Sequence, residues 1–216
     1  MEQKMDLSII QKTLDWSYDK ALNGLPGTPT AQELGNNYLT KYHTVDKAIS
    51  ALINWQITKA GTVGFLTGLG GVITLPVSIP ANLASVFYVQ IRMVSAIATM
   101  RGYDIRDDQV KTLIFLSLTG QAATDILKET GIKVGTKMLE KTIEKKISGE
   151  TIKAINKKVG FRLLTKFGEK GVINLGKLVP IAGGLIGGTA DAIGTKTIGL
   201  VAKNKLFIED NSIIIG

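Results

Sequence analysis

The stretch GTADAIGTKT, residues 188–197, carries the glycines, lysine and threonines with which a phosphate loop cradles a nucleotide. Its spacing does not fit that chemistry. Such a loop follows a strand and places four residues between its glycines, with Lys-Ser/Thr directly after. Here five residues separate Gly188 from Gly194, and Thr195 stands before Lys196. The glycines at 61, 64, 68, 70 and 71 do not spell the dinucleotide-binding pattern with its following acidic residue. His43 is the single histidine and lies beside a polar turn, a poor setting for the base of a nucleophilic triad. One histidine and no cysteine argue against a transition-metal site or a disulfide framework. Asp104, Asp107 and Asp108 have the ligand type of a hard cation, but an aspartate just before an apolar run is better explained as a helix cap. We expect no catalytic residues, no cofactor and no metal.

Charge is the remaining chemistry. The chain of 216 residues has a net charge of +8, with 13 Lys+Arg against 5 Asp+Glu in residues 128–177 and 13 against 13 elsewhere. A basic block of this kind suits an anionic membrane surface, a nucleic acid or an acidic protein, while a merely solvated helix face is the plain alternative. Aromatics are 6% of the chain, the block holds only Phe161 and Phe167, and no nucleic-acid reader motif is present, so nucleic acid is not the expected partner. Lys133, Lys137, Lys141 and Lys145 recur every fourth residue, which places them on one face of a helix over 131–147. Lys153, Lys157, Lys158, Arg162 and Lys166 decorate a second helix over 151–167 around an apolar stripe of Ile152, Ile155, Val159 and Leu163. These nine cations are the candidate lipid-binding residues.

The elements that must position them are helical. No alternating β pattern competes, and the spacing predicts helices over 3–22, 31–42, 44–58, 108–128 and the two basic segments. NGLPGTPT, 23–30, is a turn, after which Thr30 and Glu33 form a capping box. Gly102 supplies a left-handed cap, and Asp107 or Asp104 starts the next helix. Between Lys59 and Arg92 there is no charged side chain. Pro76 and Pro80 split that stretch into two apolar arms, and a helix over 81–100 begins near Asn82 and Ser85. The first arm is too short and glycine-rich to span a bilayer. The second is long enough, but Arg92 lies near its centre and aligns with Ser85, Thr99 and Ser95, the narrow polar stripe of a buried core helix.

A second apolar block, 172–202, has a helix opened by Pro180, with overlapping small-residue pairs Gly183–Gly187 and Gly184–Gly188 continued by Ala190 and Gly194. That seam predicts close helix packing. Arg92 and Asp191 are isolated charges in the two apolar blocks, and a buried charge needs a partner. Either they pair with each other, or Arg92 reaches solvent along its polar stripe while Asp191 pairs with Lys196.

The segments GFLTGLGGVITLPVSIPANLASVFYVQIRMVSAIATMRGYD and NKKVGFRLLTKFGEKGVINLGKLVPIAGGLIGGTADAIGTKTIG resemble the EcsC protein family, and the likeness extends from LDWSYDKALNGLPG over nearly the whole chain. The resemblance implies a bacterial protein in a membrane-linked setting, one namesake being encoded beside an ABC transporter. It carries over no catalytic residues.

The reading is therefore an all-α, compact helical bundle with glycine-rich apolar hairpins. Residues 1–58 form N-terminal helices, 59–103 an apolar hairpin, 104–170 basic amphipathic helices, and 171–208 a glycine-rich helix. The first residues, MEQKMDLSIIQKTLDW, are amphipathic and of mixed charge, unlike a secretory leader. We expect a non-enzymatic cytoplasmic protein, peripheral to the membrane or inserting into it, that docks on anionic lipid and serves a membrane transporter or perturbs the bilayer. A soluble helical adaptor for a protein partner is the alternative.

Overall fold

A computed structural model describes residues 5–60, 75–76, 78–132, 147–167 and 185–208, with side chains throughout except at 59, 60, 82 and 185–192. These residues form α1 (Leu7–Asn23), α2 (Ala31–Lys41), α3 (Val45–Ala60), α4 (Ala81–Met100), α5 (Asp108–Ser117), α6 (Ala123–Glu129), α7 (Gly149–Phe167) and α8 (Leu185–Val201). The described fold is all-α. The first apolar arm of the 59–103 hairpin, the helix over 131–147 with its lysine rail, and the start of the second apolar block lie outside the described residues.

Local chemistry sets the helix starts. Asp6 caps α1 by accepting from the Ile9 amide at 2.9 Å. Thr30 and Glu33 form the reciprocal capping box at α2: the Glu33 amide donates to Thr30 Oγ1 at 3.1 Å, and the Thr30 amide donates to Glu33 Oε2 at 2.8 Å. Asp107 caps α5 through the Gln109 and Val110 amides. Gly102 takes φ +82 after α4, a region side chains avoid. Two expectations are corrected. Pro80, not Asn82 or Ser85, precedes α4, and Ser85 instead donates to the Ala81 carbonyl inside the helix. The helix expected over 108–128 is broken by a 3-10 turn, Gly120–Ala122, where Gly120 at φ +61 turns the chain between α5 and α6.

Helix α4 is the axis. It packs chiefly against α1 and α2, and also touches α3, α5 and α8. Phe87, Ile91, Met93 and Ile97 are fully buried on it. It is the one described helix long and apolar enough to cross a bilayer, yet 83% of its window Leu83–Met100 is buried inside the fold. Burial of that surface at roughly 25 cal/mol per Å² is a stabilising contribution a bilayer could not add to, because protein already covers it.

Arg92 is the exception on that axis. Its side chain is 4% exposed, so it does not reach solvent along a stripe, and the Thr99 hydroxyl that would have lined the route donates to the Ser95 carbonyl. Arg92 Nε donates to the Pro29 carbonyl at 2.9 Å, and its guanidinium lies 5.9 Å from the Tyr88 ring centre. Burial lowers its pKa from the ordinary arginine value, with Tyr88 opposing that shift. No carboxylate pairs with it among the described residues, and the side chain of Asp191, its expected partner, lies outside them. One turn earlier, Tyr88 Oη shares a hydrogen bond of 3.0 Å with Thr28 Oγ1. Two side chains of α4 thus hold the 24–30 turn that delivers the chain into α2.

Close approach occurs at glycines other than those of the expected seam. A Cβ on Gly35 of α2 would lie 3.0 Å from the Ala96 carbonyl oxygen of α4. A Cβ on Gly199 of α8 would lie 2.8 Å from Ile53 Cγ1 of α3. Gly194, by contrast, has nothing within 4 Å of that position among the described residues. Gly183 and Gly184 lie outside the described residues, and the surroundings of Gly187 and Gly188 are not described.

Candidate functional site

The basic helix α7 is fixed at both ends before its outer face comes into play. Ahead of its first turn, the Ile147 amide donates to Gln109 Oε1 of α5 at 3.0 Å. At its last residue, the Phe167 ring meets Phe87 of α4 edge-on with centroids 5.4 Å apart. Between them Ile155, Val159 and Leu163 are fully buried, as the apolar stripe predicts. Gly160 lies on the same side, where a Cβ would touch Leu7 of α1 at 3.4 Å. Ile152 is only half-buried. A helix with one face locked in the core must present its other face outward.

That outer face carries Lys153 and Lys157, both exposed, while Arg162 and Lys166 are exposed about 140–180° further round the helix, beside the buried stripe and towards α8. Lys158 is half-buried and engaged: its Nζ lies 2.5 Å from Glu129 Oε2 of α6. Arg162 has no hydrogen-bond or ion-pair partner among the described residues. The sequence-predicted cations of this helix therefore comprise four exposed side chains and the half-buried Lys158. The other four, Lys133, Lys137, Lys141 and Lys145, lie outside the described residues.

Sequence reading missed Phe161. It stands beside Lys153 and Lys157 with 47% of its surface open. Four residues after Lys157, it shares that lysine's side of the helix. On α8, Ile193 is 67% and Leu200 41% exposed. Three of the four large apolar side chains exposed among the described residues thus belong to α7 and α8. The available signal was periodicity: Phe161 falls outside the 155–159–163 stripe, so a helix that buries that stripe exposes it.

Between α7 and α8 lies a cleft of about 440 Å³. Gly120, Leu163 and Ile198 form its buried floor, and Gln121, Arg162 and Lys166 stand exposed at its rim. Thr119, Thr165 and Thr197 also line it, and Gly194 completes the α8 wall. The open space beside Gly194 is this cleft, which is why a small residue there makes no close helix contact. No acidic residue lines it among the described residues.

A separate polar junction joins distant parts of the chain. Arg101, just after α4, holds Asp46 of α3 at 2.6 Å, and Lys203 approaches the same oxygen at 3.4 Å. Burial alone would raise the Asp46 pKa, but Arg101 and then Lys203 outweigh it and hold the carboxyl below its ordinary value. This arrangement is a structural clamp, since every charge in it is already engaged. His43 is exposed between α2 and α3, away from these groups. Among the described residues no cluster of three metal-ligating side chains occurs.

Residues 4–206 match the model of the EcsC protein family. No curated protein and no solved structure matches the chain.

Proposed function

The chain belongs to the EcsC protein family, and on that premise we propose that it works at a membrane without catalysis, docking on anionic lipid through the outer face of α7. The observation that carries this reading is the exposed Phe161 beside Lys153 and Lys157 on a helix whose opposite face is locked into the core. A basic surface attracts anionic headgroups, and an aromatic within it enters the interface where a bare charged face would stay outside.

The magnitudes describe a reversible contact. Basic residues near an anionic surface contribute about 1 kcal/mol each, so Lys153 and Lys157 give roughly 2 kcal/mol. Burying the open half of the Phe161 ring adds about 1 kcal/mol. The sum corresponds to a dissociation constant on the order of 1–10 mM for this patch alone. The lysine rail at 133–145 would add to it. Helix α4 takes no part, because its apolar surface is used inside the fold.

Flotation of the full chain with neutral and with anionic vesicles tests the proposal. Binding is expected only to anionic vesicles, weakening as salt shortens the screening length below about 8 Å. Lys153→Glu with Lys157→Glu should abolish it, and Phe161→Ser should weaken it while leaving the salt dependence intact. Equal recovery with neutral vesicles, or no recovery with either, refutes it; the latter result favours a protein partner for the same face.

A further inference from the structure

The cleft beside α7 has a donor and acceptor pattern that a bare electrostatic surface does not need. Its positive groups are Arg162 and Lys166, one helical turn apart on one wall. Gln121 adds a neutral amide at the rim. The three threonines are different. Thr119 Oγ1 donates to the Leu116 carbonyl at 2.7 Å, Thr165 Oγ1 to the Phe161 carbonyl at 2.9 Å, and Thr197 Oγ1 to the Ile193 carbonyl at 2.9 Å. Each hydroxyl proton is spent on its own backbone. What each oxygen still offers is a lone pair, so the threonines present acceptors. The cleft therefore combines two cations and an amide, which suit an anion, with three acceptors, which suit hydroxyl groups. A volume of about 440 Å³ lies within the range of small-ligand pockets.

We propose that this cleft is a lipid headgroup site for an anionic phosphodiester that bears free hydroxyls, as phosphatidylglycerol does. Arg162 and Lys166 hold the phosphate, Arg162 having no competing partner among the described residues, and the headgroup hydroxyls donate to Thr119, Thr165 and Thr197. The planar guanidinium can meet two phosphate oxygens at once, which a lysine in its place could not. The inference rests on the docking reading: Phe161 and the outer lysines bring α7 to the surface, and the cleft then selects among headgroups of equal charge. Phosphatidylserine has the same net charge, but its ammonium would stand beside Arg162 and Lys166 if it served the three acceptor oxygens, and its carboxylate would face those oxygens if it did not.

The test is flotation and vesicle titration of the full chain with three preparations: neutral phosphatidylcholine, and the same lipid with an equal mole fraction of phosphatidylglycerol or phosphatidylserine. Phosphatidylglycerol vesicles should bind roughly fivefold more tightly than phosphatidylserine vesicles, the size of one net neutral hydrogen bond. Arg162→Gln with Lys166→Gln should erase that ratio. Thr165→Val with Thr197→Val should erase it too while leaving the charge unchanged; thermal melts report whether each variant is folded. Lys153→Gln with Lys157→Gln should weaken binding to both vesicles and leave the ratio standing. Equal binding of the intact protein to both anionic vesicles, or a ratio that survives the cleft variants, overturns the headgroup site and leaves the docking reading intact. No binding to any anionic vesicle overturns both.

Discussion

Gly194 and Gly199 lie on the same helix, and replacing each with alanine should move stability in opposite directions. Both substitutions gain roughly the same helix propensity, up to about 1 kcal/mol in a helix interior. At Gly194 nothing lies within 4 Å of the new methyl, so the propensity gain stands alone. At Gly199 the methyl would lie 2.8 Å from Ile53 Cγ1, 3.0 Å from Cδ1 and 3.3 Å from Cγ2. Ordinary carbon contacts are about 3.5–4.0 Å, so the overlap approaches 1 Å. Ile53 is 3% exposed and branched at Cβ, which leaves it little room to turn away. Overpacking of this kind costs about 1–3 kcal/mol. The gap between the two variants isolates that cost, because propensity cancels. For a chain of this size it corresponds to about 2–4 °C in melting temperature per kcal/mol. Urea and thermal melts of both variants measure it. In an Ile53→Ala background the clash has no partner, and Gly199→Ala should become stabilising. Equal melts for the two single variants, or a Gly199→Ala penalty unchanged beside Ile53→Ala, would refute the contact between α3 and α8 as the reason for that glycine.

Arg92→Met should cost about 1–3 kcal/mol in urea midpoints by removing a charged hydrogen bond to the Pro29 carbonyl, and its effect should be coupled to Thr28→Val, since both hold the 24–30 turn. Additive effects would show that the two α4 side chains act separately. Gln56 is 1% exposed and neither its Nε2 nor its Oε1 has a partner, so Gln56→Met should stabilise the protein by about 1–3 kcal/mol; a loss of stability sinks the account. The Tyr18 hydroxyl donates to the Ile105 carbonyl, and its pKa is pushed up to about 12, first by burial and then by Asp108 and Asp104. An unfolded tyrosine ionises near 10, so between pH 10 and 12 the unfolded chain loses a proton that the folded chain keeps, and stability falls as pH rises. Tyr18→Phe should flatten that part of the stability curve and remove a phenol that titrates near pH 12 in ultraviolet absorbance; an unchanged titration would contradict the burial.

What was legible in the sequence is what depends on a few neighbouring residues. The capping box at Thr30 and Glu33, the Asp107 cap and the left-handed Gly102 each involve groups within three or four positions, and each occurs as read. The buried stripe of α7 was legible for the same reason, since a helix repeats its faces every few residues. Where a partner comes from far along the chain, the sequence was silent. Arg92 plainly required a counterpart, but its acceptor is a backbone carbonyl, which no residue type advertises. The close contact at Gly199 was silent too, because counting glycines does not say which one faces Ile53. The cleft was hidden too, because α7 and α8 meet only after the 3-10 turn at Gly120 has redirected the chain, and that turn lies within a run that reads as one helix.

The long reach of the bonds that hold the turn before α2 and the helix α3 also sets a timetable. Arg92 and Pro29 are 63 residues apart, and Lys203 and Ser50, joined at 3.0 Å, are 153 apart. A ribosome adds about 5–20 residues per second, so the turn ahead of α2 waits roughly 3–13 s for the side chain that fixes it. The clamp on α3 waits roughly 8–30 s for Lys203. Throughout that interval the apolar faces of α1, α2 and α3 exist without the helices that cover them, so the nascent chain depends on whatever shields hydrophobic surface near its site of synthesis until α4 and then α8 arrive.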